Sequence, residues 1–170
     1  MKTIALAVLL ATTFAVAQEK PIVYRLEYTI TEMDGAKKLS SRSYTLQVED
    51  HHKGTMRVGT RVAVPSGSFA TGSADSNIQY EYRDVGVNLD VTLSTIDSTS
   101  LRLETTVDIN SLVTPDSSTS ATSRRPPATR QCRDQVTTVI PLDKPVTLTT
   151  QDDPSYNTSM QVQVTAHIVK

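Results

Sequence analysis

Few side chains in this sequence are of a type and spacing that could do chemistry. The stretch EDHHKG gathers Glu49, Asp50, His51 and His52, ligand types that suit zinc or copper. Neighbouring residues on a strand point to opposite sides, so His51 and His52 could share an ion only from a loop, and no second ligand set accompanies them. Turn chemistry is the better account. Cys132 is the only cysteine, so no intrachain disulfide can form. With no histidine near it in sequence, it is expected to be a small, half-buried strand residue rather than a nucleophile. His167 falls on the polar side of the last alternating run, and no Gly-x-Ser-x-Gly elbow frames any serine. Asp84 with Asp90, and Asp152 with Asp153, offer hard oxygen ligands but lack the spacing of a calcium loop. Arg124, Arg125, Arg130 and Arg133 form a basic cluster that could grip phosphate or a partner's carboxylates, although four arginines in and beside a loop more often keep it solvated. These residues point to no enzyme, metal or cofactor, and leave one candidate interaction loop.

Composition sets the frame in which they must be held. At 170 residues and 38% hydrophobic, the chain is one domain's worth of polymer with enough apolar mass for a core. A formal net charge of -1 supplies no field for nucleic acid. The opening MKTIALAVLLATTFAVAQEK has Lys2, an apolar run from Ile4 to Ala17 and a small-x-small ending at Ala15-Val16-Ala17. Residues 1–17 are therefore expected to be a secretory signal peptide, cut before Gln18, and residues 18–170 a single exported domain.

Along that domain the hydrophobic period is two. Ile22, Tyr24, Leu26, Tyr28 and Ile30 share one face of a first strand, and Tyr44, Leu46 and Val48 resume after the Asp34-Gly35 reversal. Met56, Val58, Val62 and Val64 follow, and Pro65 is expected to end their strand because it cannot donate a ladder hydrogen bond. PSGSFATGSADSN then reads as a loop. Tyr80 and Tyr82 stand at even positions but Val85, Val87, Leu89, Val91 and Leu93 at odd ones, which predicts a bulge or a change of sheet around Arg83-Asp84, eased by Gly86. Leu101, Leu103, Val107 and Ile109 complete a second long hairpin. The Ser, Thr and Pro-rich segment 114–130 has no apolar period and is expected to be one long mobile loop. Strands around Val136 to Ile140, Val146 to Thr150 and Met160 to Ile168 close the chain. About eight strands without a helix make an all-β fold.

Alternation alone does not say what the apolar face touches. A membrane barrel carries aromatic girdles at both interfaces, whereas this chain has no Trp, six Tyr and two Phe. An antiparallel β-sandwich, or a subunit lending strands to a shared sheet, is the preferred architecture.

The order of elements over residues 56–150 carries a family resemblance. MRVGTRVAVPSGSF, YEYRDVGVNLDVTL, LRLETTVDINSLV, a Pro-containing gap and RQCRDQVTTVIPLDKPVTLTT succeed one another in a sequence that resembles the C-terminal β-domain of bacterial secretins. Those are the outer-membrane channel subunits of type II and type III secretion and of type IV pilus systems. Gly59 and Val62 to Pro65 match the first family element, and Tyr82, Asp84, Val85, Gly86, Leu89, Val91 and Thr92 match the second. Leu93 stands where secretins usually have proline, and their glycine-rich ending is replaced by VTLTTQDDPSYN. The resemblance implies a secretin-like β-domain and a stand-alone relative of it, located in the periplasm or associated with the outer membrane. It also implies homo-oligomerisation or docking to an envelope secretion or pilus assembly through strand edges and the loop. The competing class is a monomeric, soluble periplasmic β-sandwich that binds an unknown ligand on its loops.

Overall fold

The computed structural model describes residues 20–70, 76–113, 128–153 and 158–169. Eight strands account for nearly all of them: β1 (Val23–Asp34), β2 (Lys37–Glu49), β3 (Lys53–Ala70), β4 (Ser76–Asp97), β5 (Ser100–Val113), β6 (Ala128–Pro141), β7 (Val146–Asp153) and β8 (Thr158–Val169). They form two four-stranded sheets, ordered β2-β1-β8-β7 and β3-β4-β5-β6. Every pairing between these strands is antiparallel, and one isolated parallel bridge joins Leu142 to Ala166.

The period of two produces one shared interior. From the first sheet, Tyr24, Leu26, Tyr28 and Ile30 of β1 and Met160, Val162, Val164 and Ala166 of β8 point inward. From the second, Val87, Leu89, Val91 and Leu93 of β4, Leu101, Leu103, Val107 and Ile109 of β5, and Cys132 and Ile140 of β6 meet them. Each large apolar side chain so removed from water contributes about 1.5–3 kcal/mol. The sandwich closes through the chain ends, because β8 lies between β1 and β7. Two short connections carry the chain between sheets: Asp50 to His52 links β2 to β3, and Leu142 to Pro145 links β6 to β7.

Several local expectations are corrected. β3 does not stop at Pro65: its ladder with β4 continues to Ala70, with a register shift between Pro65 and Gly67. A bulge is where a residue lacking an amide proton can be tolerated within a sheet. The expected loop over 65–77 is therefore mostly strand, although residues 71–75 lie outside the described set. No register shift occurs at Arg83-Asp84 either, where the β3–β4 ladder runs unbroken. Tyr80 and Tyr82 sit at even positions because they face outward, 55% and 66% exposed, rather than because the strand slips. β6 begins at Ala128, so the last three residues of the expected loop 114–130 are paired with β5. The signal segment 1–17 and residues 114–127 lie outside the described residues.

Candidate functional site

The feature with functional potential is the set of open strand edges. Among the described residues, β2 and β7 in the first sheet and β3 and β6 in the second have a ladder partner on one side only. The two sheet-changing connections place β2 beside β3 on one flank of the sandwich and β6 beside β7 on the other. Each flank thus offers one edge from each sheet. The outward faces carry polar side chains, Thr29, Thr31, Ser41, Ser43, Gln161 and Gln163 on the first sheet and Arg57, Asp90, Arg102, Glu104, Asp108 and Arg133 on the second, together with the exposed Tyr80, Tyr82 and Val139 of the second.

The family-motif residues lie together on β3 and β4. Gly59 pairs directly with Gly86. A Cβ at Gly86 would collide with the Val58 carbonyl oxygen and Gly59 Cα, and one at Gly59 would lie 2.7 Å from the Val85 carbonyl oxygen. Gly86 also holds a φ of 157°. This glycine pair lets the two backbones approach where a side chain on either would force them apart. Leu89 and Val91 are core residues, Val85 and Val62 are half-buried, and Thr92 is exposed outward, its backbone opposite Lys53. Asp84 accepts from Arg61 Nε at 3.1 Å, and both Asp90 oxygens accept from the one Arg57 Nη2, at 2.7 and 2.9 Å, with Lys53 at 3.5 Å. Asp84 and Asp90 are thus ion-pair partners of β3, and the Arg57 hydrogen bonds hold the Asp90 carboxyl below its ordinary range against a partly opposing burial.

The histidine stretch is a turn with a latch. Asp50 N–H donates to the Ile22 carbonyl at 2.9 Å and His51 N–H to the Leu93 carbonyl at 3.0 Å, with His51 at a φ of 61°. The Asp50 carboxylate accepts from the Thr95 amide at 2.9 Å and the Thr95 hydroxyl at 2.8 Å, so Tyr24 donates its hydroxyl to Thr95 Oγ1 at 2.7 Å. Burial by itself would raise the Asp50 pKa; the Thr95 hydrogen bonds and neighbouring His51 outweigh it and hold the carboxyl below its ordinary value. The group ties the β2–β3 turn to the opposite sheet. His167 makes a comparable clamp, Nδ1 to Asp143 Oδ1 at 2.6 Å, on the β6–β7 turn.

Cys132 is buried at the rim of the core, where its thiol reaches Gln151 of β7 in the other sheet. Burial first, then the charge of Asp134, pushes its pKa up to about 11, which keeps the sulfur protonated and unreactive at neutral pH. The basic cluster divides. Arg130 bridges the sheets to Glu32 at 3.4 Å, half-buried, and so belongs to the scaffold. Arg133 is exposed on the outward face of β6, opposite Asp108. Arg124 and Arg125 lie outside the described residues. Asp152 is exposed at the end of β7. Sequence reasoning missed Thr105, a hydroxyl at a core position that accepts from Tyr28 at 3.0 Å, and it missed which strands are edges. Alternation holds no signal for either.

No protein-family model matches the sequence, and no curated protein matches it. Solved structures do. The chain is similar to the type II secretion system secretin GspD in E. coli K12, with 12% identity over 89% of this chain and 51% of that one, at a TM-score of 0.52. It is similar to the secretin in the ETEC pilotin–secretin AspS–GspD complex, with 10% identity over 89% and 50% of the two chains, at 0.54. It is also similar to the type II secretin GspD from enteropathogenic Escherichia coli, with 9% identity over 89% and 70%, at 0.54. The chain spans about half the length of the first two. At these identities the likeness is one of fold, and the two antiparallel sheets of this chain form a secretin-like β-domain.

Proposed function

We propose that this chain is an exported, non-enzymatic structural component of the bacterial cell envelope that assembles through its open strand edges, either into a homo-oligomeric ring or onto a secretion or pilus assembly. The carrying observation is the pair of unequal edges in each sheet. Four alternating strands make the two edges of a sheet run in opposite directions, so a copy placed beside another by simple rotation meets it antiparallel, β6 against the next β3 and β7 against the next β2. Such a contact is heterologous and builds a closed ring when the rotation closes. Likeness to secretins, one of them solved with its pilotin, supports the same reading. Cleavage of the leader before Gln18 would place the domain in the periplasm or at the outer membrane.

A second reading has its own support. Lys37, Lys38 and Arg42 sit on edge strand β2, and charge on an edge is a known device against pairing. On that reading the domain is a monomeric periplasmic binding module. Mass measurement on the purified mature protein separates the two. A concentration-dependent oligomer supports assembly, and a monomer at every concentration and in detergent supports the binding module.

A further inference from the structure

Resting on the assembly reading, we propose that copies of this chain join head to tail through β2 of one and β7 of the next, with Lys38 and Asp152 as the charge pair that selects this contact. Register places the two residues in one row of the first sheet: Lys38 pairs with Met33, Met33 with Ser159, and Ser159 with Asp152. Met33 follows the core-facing alternation by an odd step, so the row points outward, and both charged residues are exposed at the two open ends of that row. Neither is among the ion pairs of the described residues. The remaining outward positions in the neighbouring rows are neutral: Thr31 with Ser41 and Gln161, then Thr29 with Ser43 and Gln163, ending on β7 at Thr150 and Thr147.

Toward the other end of the sheet β2 outruns β7: Glu49 lies in the row of Val23 and Val169, whereas β7 begins at Val146 in the row of Val164, Tyr28 and Tyr44, so Lys38 and Asp152 are the opposite charges that the register aligns on these two edges. The second sheet has no such match. Its edge β3 carries Arg57 and Arg61, already held by Asp90 and Asp84, and the row of Arg57 runs through Asn88 and Asp108 to Arg133 on the opposite edge. Like charges stand at the two ends of that row. Specificity for the neighbour accordingly lies in the first sheet, where charge complementarity chooses partner and register.

The test uses the mature protein with Lys38→Asp, Asp152→Lys and both together, followed by sedimentation over a range of protein and salt concentrations. Each single reversal should raise the concentration for half-assembly by about fivefold or more, and the double reversal should return it to within about twofold of the original. The wild-type midpoint should rise with salt, whereas that of either single variant should rise less. As a second measurement, mixing Lys38→Cys protein with Asp152→Cys protein under oxidation should yield mixed dimers. If the wild type assembles but the single reversals change nothing, or the double variant fails to recover, the β2–β7 contact is wrong and the assembly reading stands. Recovery failing while Lys38→Asp alone weakens assembly would indicate β2 pairing with β2. A wild type that stays monomeric removes both.

Discussion

Tyr28 shows at the scale of one residue how the core sets a measurable property. Its ring is fully buried between the sheets, and its hydroxyl donates to Thr105, so the polar tip has a partner within an otherwise apolar interior. Burial pushes its pKa up from 10.0 to about 12, only partly countered by the Thr105 hydrogen bond. A group whose folded pKa lies above its unfolded value contributes stability that is complete below the unfolded value and declines as pH rises towards the folded one. Stability should therefore fall by about 1.4 kcal/mol per unit between roughly pH 10 and 12 from this residue. Ultraviolet titration checks it: a late tyrosine ionisation should coincide with loss of folded structure, and Tyr28→Phe should abolish that late step. Tyr28 was legible as a core residue from its alternation. Thr105 was not, because nothing in a threonine's type shows that a phenol waits on the facing strand.

At the scale of elements, the β3–β4 hairpin depends on the facing glycines Gly59 and Gly86. Gly86→Ala would drive a methyl into the Val58 carbonyl of the partner strand, at a backbone angle that disfavours side chains. The expected loss is about 2–4 kcal/mol in denaturant unfolding, whereas Gly35→Ala, where a Cβ meets nothing, should cost about 1 kcal/mol from its positive φ alone. Gly86 is read from the sequence as easing a bulge or a change of sheet; neither occurs, and its close approach to Gly59 instead serves an unbroken ladder. The lengths of β3, β4 and β6 were less legible. Strands such as Ala128 to Gln135 are held by ladder hydrogen bonds to β5 and by the Arg130–Glu32 bridge, and backbone pairing leaves no apolar period to detect. Pro65 misled for the opposite reason: a local rule about a missing donor met a bulge that accommodates it.

The whole molecule is organised around β8, which pairs with both β1 and β7 and buries Met160, Val162, Val164 and Ala166. Deleting residues 158–170 should therefore abolish folding of the entire domain rather than one sheet, read as loss of the β-type circular dichroism signal. Retained native-like spectra would show that the second sheet stands without the first. Residue types along the chain carried the secondary-structure class, the approximate strand count and the inward face of each central strand, because burial of one side of an extended segment writes a period of two directly into side-chain type; the likeness to secretins came from the order of motifs over residues 56–150. That β1 and β8 meet at the centre of one sheet, that β2, β3, β6 and β7 are left as edges, and that Lys38 and Asp152 end the same row became visible in the folded chain alone. Strand neighbours are joined by backbone hydrogen bonds, which every residue but proline can make, so the order of strands is settled by how the whole chain closes its core.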